Sequence, residues 1–266
     1  MKYNKFVILV CSYNNEKWYE KNLLSILDQN YPYFRVIYTD DVSNDQTAEL
    51  VSNFLKGHDP ENKVSLIRNS RNMKQTGNIY AMAHSCQDDE ILVTVDGDDW
   101  LLHENVLFRL NEVYQDDNIW MTWGSYVDYP KMEKGLGALP IPIEVIDNHA
   151  YRAHRWSLSH LRTFYCWLFK KVQKSDLIRD GEFFQMAGDL AFMFPMAEMC
   201  GGRFKYLDEV FYVYNHENPL QEHRLDEPLQ LEIDAFIRRK TPYRRLKNPR
   251  QAGINPWLRL RHRIRR

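Results

Sequence analysis

The sequence predicts an α/β fold built on a mostly parallel central sheet flanked by helices, and three observations carry the prediction. Short apolar runs alternate with segments of helical spacing through roughly the first 130 residues, the pattern of repeated β-α-β units. The runs are continuously apolar, as expected of strands covered on both faces. Two of them stop abruptly in acids, at Asp40-Asp41 and at Asp96-Gly97-Asp98-Asp99, and a third stops in Ser12-Tyr13-Asn14. Polar strand ends of this kind gather on the carboxyl edge of a sheet, where open α/β folds bind ligands.

The elements follow in order. Residues 5–10 read as a first strand, the loop Cys11-Ser12-Tyr13-Asn14-Asn15 follows, and residues 18–29 carry helical spacing at Trp18, Leu23, Leu24 and Leu27. Tyr31-Pro32 ends that helix, because proline disfavours helical geometry in the residue before it. Residues 34–39 form a second strand, and Ser43 or Asn44 can cap a helix over 47–55. A third strand at 64–67 leads into a polar loop over 69–78 containing Lys74, then a helix over 79–85 and a fourth strand ending in the acidic cluster. Residues 106–114 read as helix and 119–127 as a strand bearing Trp120, Trp123 and Tyr126. A Lys-, Gly- and Pro-rich loop over 130–142 has the composition of a segment that borders a pocket. The aromatic-rich stretches 155–161 and 164–172 read as helical, and 205–214 as a last strand.

At 266 residues, with 44% hydrophobic and 27% charged residues, the chain has the composition of a soluble globular protein. It divides into a half over 1–130, an aromatic-rich half of the same domain over 131–225, and a basic tail, helical or disordered, over 226–266. No apolar run approaches the roughly 20 residues that cross a bilayer, and the apolar run at residues 6–11 is too short for a signal peptide. A cytoplasmic location follows as the expectation. Cys11, Cys86, Cys166 and Cys200 lie far apart with no metal-type spacing, which argues against disulfides and a zinc site. The net charge of −1 hides an asymmetry, since residues 238–266 carry 12 Lys/Arg and no acid. Such a segment suits peripheral contact with an anionic membrane surface; nucleic acid is the less favoured anionic partner.

Three carboxylates in four positions repel one another unless a positive charge sits between them. The cluster at Asp96, Asp98 and Asp99 is therefore either a capped acidic turn or a site for a hard divalent cation and a diphosphate. Asp189 stands alone in the apolar stretch 183–192, so it is either buried and paired or chemically employed.

These residues together resemble a known family. The order Cys11-Ser12-Tyr13-Asn14, Asp40-Asp41-x-Ser43-x-Asp45-x-Thr47, Asp96-x-Asp98-Asp99 and Gly188-Asp189 is similar to that of inverting family 2 glycosyltransferases with the Rossmann-like GT-A fold, over roughly residues 5–220. The resemblance implies a donor half at 1–130, an acceptor half at 131–225, a nucleotide-sugar donor, a carbohydrate-containing acceptor, and Mn²⁺ or Mg²⁺. It implies donor contacts at Cys11, Tyr13, Asn14, Asp41, Lys74, Asp96 and Asp98, with Tyr13 against the base and Lys74 towards the diphosphate. It further implies a metal held by Asp98, Asp99 and His216, with Asp96 mainly shaping the turn, and Asp189 as the general base. Arg162 and Trp123 are expected on the acceptor side, Arg162 towards phosphate or acceptor. Cys11 stands where Thr or Pro is more usual, and Val42 where Gly is common. The Gln-x-x-Arg-Trp signature of processive synthases is missing, which favours single-sugar addition.

Two other classes compete. A haloacid-dehalogenase-type phosphatase also ends a strand in Asp-x-Asp, but small Gly and Thr residues follow there, whereas Asp99-Trp100 follow here. A non-catalytic nucleotide-sugar-binding or membrane-surface scaffold would leave Asp189 dispensable.

Overall fold

The computed structural model describes residues 2–220 and 226–248. Its centre is strand β1 (Phe6–Ser12), whose first five residues are all buried. They are apolar because β1 is flanked on both sides, by parallel β2 (Phe34–Asp40) and parallel β4 (Ile91–Asp96). Strand β3 (Val64–Arg68) closes this edge, parallel to β2, and is half exposed as an edge strand should be. The crossovers are helices α1 (Tyr19–Leu27), α2 (Thr47–His58) and α3 (Lys74–Ser85), which bury Leu23 and Ile26, Val51 and Phe54, and Ile79 and Met82. Register sets the strand ends level, with Ser12 opposite Asp40 and Cys11 opposite Asp96.

Beyond β4 the sheet becomes mixed. Its order is β3-β2-β1-β4-β8-β6-β11-β5, where β5 is Trp100–Leu101, β6 Met121–Tyr129, β8 Arg162–Tyr165 and β11 Phe204–Asn215. Strand β8 runs antiparallel to both β4 and β6, and β11 lies parallel to β6. Strand β7 (Glu133–Lys134) adds to β6, and β9 (Ile178–Arg179) with β10 (Glu182–Phe183) makes a separate hairpin. The remaining helices are α4 (Val106–Val113), α5 (Ile143–Asp147), α6 (Cys166–Phe169), α7 (Gly188–Cys200) and α8 (Glu227–Arg238). The sheet runs across the expected 130/131 boundary, since β6 lies between β8 and β11.

Three expectations need correction. The stretches around 155–172 are not helical throughout: residues 162–165 form the four buried residues of β8, and only the short α6 follows. Pairing with β4 and β6 decides the matter, helped by Thr163, whose hydroxyl bonds those of Tyr114 and Thr122 at 2.8 and 2.6 Å. Helix α3 starts at Lys74 rather than Ile79, because the Asp41 carboxylate accepts from the backbone N–H groups of Met73 and Lys74, both at 2.8 Å. That acid supplies the acceptors that a helix start otherwise lacks. Helix α2 takes Asp45, not Ser43 or Asn44, as acceptor for the Thr47 N–H at 3.0 Å.

The expected tail is in part a docked element. Asp226 caps α8, its carboxylate accepting from the Leu229 N–H at 3.0 Å, and Ile233 and Ile237 are buried. After α8, the Tyr243 N–H donates to Glu198 and the Leu246 N–H to the Met199 carbonyl, at 2.8 and 2.9 Å. Several of the basic residues are tied to the fold: Arg238 donates to the His154 carbonyl at 2.6 Å, Lys240 pairs with Asp176 at 3.2 Å, and Arg245, on the surface, donates to the Asp147 carbonyl at 3.1 Å. Residues 249–266, the rest of the expected tail, lie outside the described residues.

Candidate active site

At the carboxyl edge of β1, β2 and β4 a cavity of about 360 Å³ is lined by Cys11, Tyr13, Asp41, Lys74, Asp96, Asp98, Arg162 and Asp189. The structure thus brings together eight residues that the sequence nominates. Tyr13 follows β1 directly and is 39% exposed, its hydroxyl accepting from Asn44 at 3.2 Å. Asn14 does not line the cavity. It ties two loops together, donating its N–H to Ser43 at 2.9 Å and accepting the Asn44 N–H at 2.8 Å.

Both Asp41 oxygens are engaged at the start of α3, and Asn69 also donates to one of them at 2.7 Å. Asp41 therefore sets the position of Lys74, whose φ of 60° turns the chain at the cavity rim. Val42, standing where Gly would be at ease, takes φ 65° and keeps the tight turn at a steric cost that a β-branched residue rarely bears.

The acidic cluster is arranged by burial. The Asp96 carboxylate accepts from the Gln75 amide at 2.6 Å. Burial pushes it up to about 6 against the pull of the Arg162 cation, with Asp98 adding to the rise. Burial also raises Asp98, which accepts from Asn218 at 2.7 Å. Asp99 is 1% exposed and accepts from the Tyr212 hydroxyl at 2.7 Å and the Asn215 N–H at 2.8 Å. Burial, then Asp98 and Asp96, hold its carboxyl well above the usual range. The sequence pairs Asp98 with Asp99 and leaves Asp96 as support, whereas on the cavity wall the pair is Asp96 and Asp98 and Asp99 stands behind them. Gly97 makes this packing possible: a Cβ there would lie 2.6 Å from the Asn15 amide nitrogen and 2.8 Å from the Cys11 carbonyl oxygen.

The expected metal set is not assembled as such. Nε2 of His216 lies 2.8 Å from Asp128. Among the described residues the group whose ligand atoms all fall within 4.8 Å of one another is Asp96, Asp99 and His160. His160 is stacked on Tyr212 at 4.5 Å between ring centroids, and Arg162 lies 3.4–3.5 Å from its two ring nitrogens. Burial first, and Arg162 second, hold its pKa well below the ordinary value, so the imidazole is neutral, the form that binds metals. Buried carboxyls that resist ionisation and a neutral imidazole fit a divalent cation, whose charge would offset the burial.

Asp189 sits in the first turn of α7, at an end where the helix dipole favours negative charge. One oxygen accepts from Arg162 at 2.6 Å and the other from the Leu190 N–H at 3.0 Å. Gly188 lets α7 approach α3, since a Cβ at that position would lie 1.8 Å from the Thr76 hydroxyl. Trp123 is a core residue rather than an acceptor contact: it is 1% exposed, donates its indole N–H to the Leu139 carbonyl at 2.9 Å, and packs on Phe204 and Tyr206. Sequence reasoning missed Gln75, Asn78, His160, Gln185 and Asn218 on the cavity wall. Gln75 and Asn78 had a local signal in the polar stretch 69–78, whose second part opens α3, and Asn218 in the polar turn after the last strand.

The arrangement can hold a cation or the positive end of a ligand against Asp96 and Asp98, and it presents a third carboxylate, Asp189, from a different element. The crystal structure of S. aureus TarS 1–349 with UDP-GlcNAc superposes with a TM-score of 0.65 at 18% identity, covering 88% of this chain and 65% of that one. The mannosyltransferase PcManGT from Pyrobaculum calidifontis, in complex with GDP-Man and Mn²⁺, gives 0.56 at 17% identity, covering 83% and 59%. These likenesses establish the GT-A fold. An uncharacterized glycosyltransferase of Haemophilus influenzae is 28% identical over 119 residues, 45% of this chain and 46% of that protein. The chain thus matches less than two thirds of the length of each of these relatives. The family model described as Glycosyl transferase family 2 matches residues 7–176, well over half of the sequence. The chain belongs to glycosyl transferase family 2.

Proposed function

We propose that the protein transfers one sugar from a nucleotide sugar, a UDP-sugar in the first instance, to a hydroxyl of a glycan, glycolipid or glycoprotein, with inversion at the anomeric carbon. The observation that carries this reading is the meeting of Asp96 at the end of β4 and Asp98 in the turn after it with Asp189 from α7 in one cavity. The nucleotide sugars in the TarS and PcManGT structures, UDP-GlcNAc and GDP-Man, support the donor class.

In this reading Tyr13, Asp41 and Lys74 form the base and phosphate side. Asp189 takes the proton of the acceptor hydroxyl as its oxygen bonds to the anomeric carbon. The bond from that carbon to the diphosphate oxygen breaks, and the nucleoside diphosphate leaves with the electron pair. One displacement, from the face opposite the leaving group, inverts the centre. Asp96, Asp99 and His160 would hold the divalent cation, with Asp98 beside them on the cavity wall, and an imidazole in the set favours Mn²⁺ over Mg²⁺. When bound, the cation supplies charge neutralisation at the leaving diphosphate.

The chain is expected to work in the cytosol or at an anionic membrane surface reached through its basic C-terminal segment. Among the described residues no helix is long and apolar enough to cross a membrane. Incubation with Mn²⁺ and a panel of UDP-, GDP- and dTDP-sugars should show sugar-specific hydrolysis or transfer. Asp189→Asn should cut turnover to a small residual rate while nucleotide binding survives. Absence of binding to every donor in the presence of metal sinks the reading, and full turnover by Asp189→Asn sinks the base assignment.

A further inference from the structure

Arg162 and Lys74 are the arginine and lysine among the described residues lining the cavity, and they are disposed in opposite ways. Lys74 is exposed at the rim, whereas the Arg162 side chain is 5% exposed. An arginine that receives a phosphate presents its fork of N–H donors to the ligand. This one turns its fork into the protein. Nε donates to the Leu158 carbonyl at 3.2 Å, Nη2 to Asp189 at 2.6 Å, and Nη1 lies 3.4 Å from Nδ1 of His160. Asp189 is the more open partner, its side chain 19% exposed and on the cavity wall.

The strand that carries Arg162 explains its reach. In the register of β8 on β4, Arg162 stands opposite Thr94, two residues before Asp96. The guanidinium therefore sits between the end of the donor-side strand and the first turn of α7. The remaining Asp189 oxygen is fixed by the Leu190 N–H. Two anchors on different oxygens define the plane of the carboxylate, and the arginine anchor comes from a strand locked into the middle of the sheet.

We infer that Arg162 is a positioning residue, whose ion pair fixes the Asp189 carboxylate for proton transfer and so sets the rate of sugar transfer without taking part in donor binding. The inference rests on the reading of Asp189 as the base. It replaces the expectation that Arg162 meets phosphate or acceptor directly.

The test uses the full chain, Mn²⁺ and the nucleotide sugar that the wild type turns over in the panel above. Arg162→Lys keeps the charge but loses the planar fork and should lower kcat about tenfold. Arg162→Gly should lower it about 10²-fold, the scale of a displaced catalytic group. At saturating Mn²⁺ the donor KM, and binding of the matching nucleoside diphosphate by calorimetry, should stay within about threefold of wild type; the binding measurement also shows that each variant is folded. Millimolar guanidinium should restore turnover to Arg162→Gly and ammonium should not, because only the planar cation can reproduce the paired geometry. In an Asp189→Asn background, Arg162→Gly should cause little further loss, since residues that act as a unit are not additive.

Several outcomes overturn the inference while leaving the glycosyltransferase reading intact. These are an unchanged kcat in Arg162→Gly, a raised donor KM with unchanged kcat, losses that multiply in the double variant, or no rescue by guanidinium. Full turnover by Asp189→Asn alone, or a wild type that uses none of the donors, overturns the parent reading and this inference with it.

Discussion

A carboxyl pushed up to about 6 works against the fold that holds it. Asp96 in its folded setting keeps its proton more tightly than in the unfolded chain, where its value is near 3.8. The penalty is therefore absent below the unfolded value, grows as pH rises from about 4 to 6, and is complete above that. Two pH units correspond to about 3 kcal/mol. In metal-free buffer at pH 7.5, Asp96→Asn should stabilise the protein by up to about 3 kcal/mol, because the amide oxygen still accepts from Gln75. The advantage over wild type should shrink on acidification and vanish near pH 4, as read from urea midpoints at a series of pH values. The same substitution should depress turnover, the trade expected of a charge kept for function. An advantage that persists undiminished at pH 4 would show that the Asp96 charge is not its source.

At the scale of elements, helix α3 depends on an acceptor 32 residues before its N-terminal Met73 N–H. Asp41→Ala removes the acceptor of the Met73 N–H and one of two acceptors for the Lys74 N–H and the Asn69 amide. The expected loss is about 2–4 kcal/mol. Amide exchange should quicken first at Met73 and Lys74, while a uniform change across the sheet would contradict the assignment. This dependence also explains what the sequence could disclose. The β-α-β units of the first half were legible because β1, β2 and β4 are central and mostly apolar, and helices of regular spacing separate the strands. Strand β8 was not, since four residues carry no period and only pairing with β4 and β6 makes them a strand. The start of α3 was hidden for the same reason: its cap lies in another loop. Asp96, Asp98 and Asp189 were legible as acids out of place in apolar surroundings. His160 carried no such mark, and it is placed by Tyr212 from the far end of the chain. Trp123 misled because aromatic rings suit a sugar face and a core equally.

The described residues are held as one body by a sheet that crosses the 130/131 boundary and by a C-terminal segment that docks on α7. Glu198, fully buried near the end of α7, accepts from Arg152 at 2.5 and 3.0 Å and from the Tyr243 N–H at 2.8 Å. Arg152 in turn donates to the Ile237 carbonyl of α8 at 2.7 Å. Glu198→Ala leaves a buried guanidinium without its counter-charge, a change that costs about 3–5 kcal/mol. The expected fall in Tm is about 10 °C for a chain of this size. Because α7 also carries Asp189 at its opposite end, turnover should decline at temperatures well below the new midpoint. Retained stability and activity would mean that the C-terminal segment is not part of the cooperative unit. Unfolding of the wild type should likewise be a single transition, since β6 of the first half is paired on both sides by β8 and β11 of the second.

Cys11 gives this architecture a reporter of its own. Cys86, Cys166 and Cys200 are buried, while Cys11 is half-buried and faces the cavity. Burial, and after it the charges of Asp96 and Asp41, push its thiol up, so alkylation should be slow at neutral pH and quicken under alkaline conditions. A small maleimide should label one site in the native protein, and UDP with Mn²⁺ should protect it. Mass spectrometry of the labelled peptide would then read donor occupancy directly, with no need to know the sugar or its acceptor. Equal labelling with and without nucleotide would place the donor elsewhere.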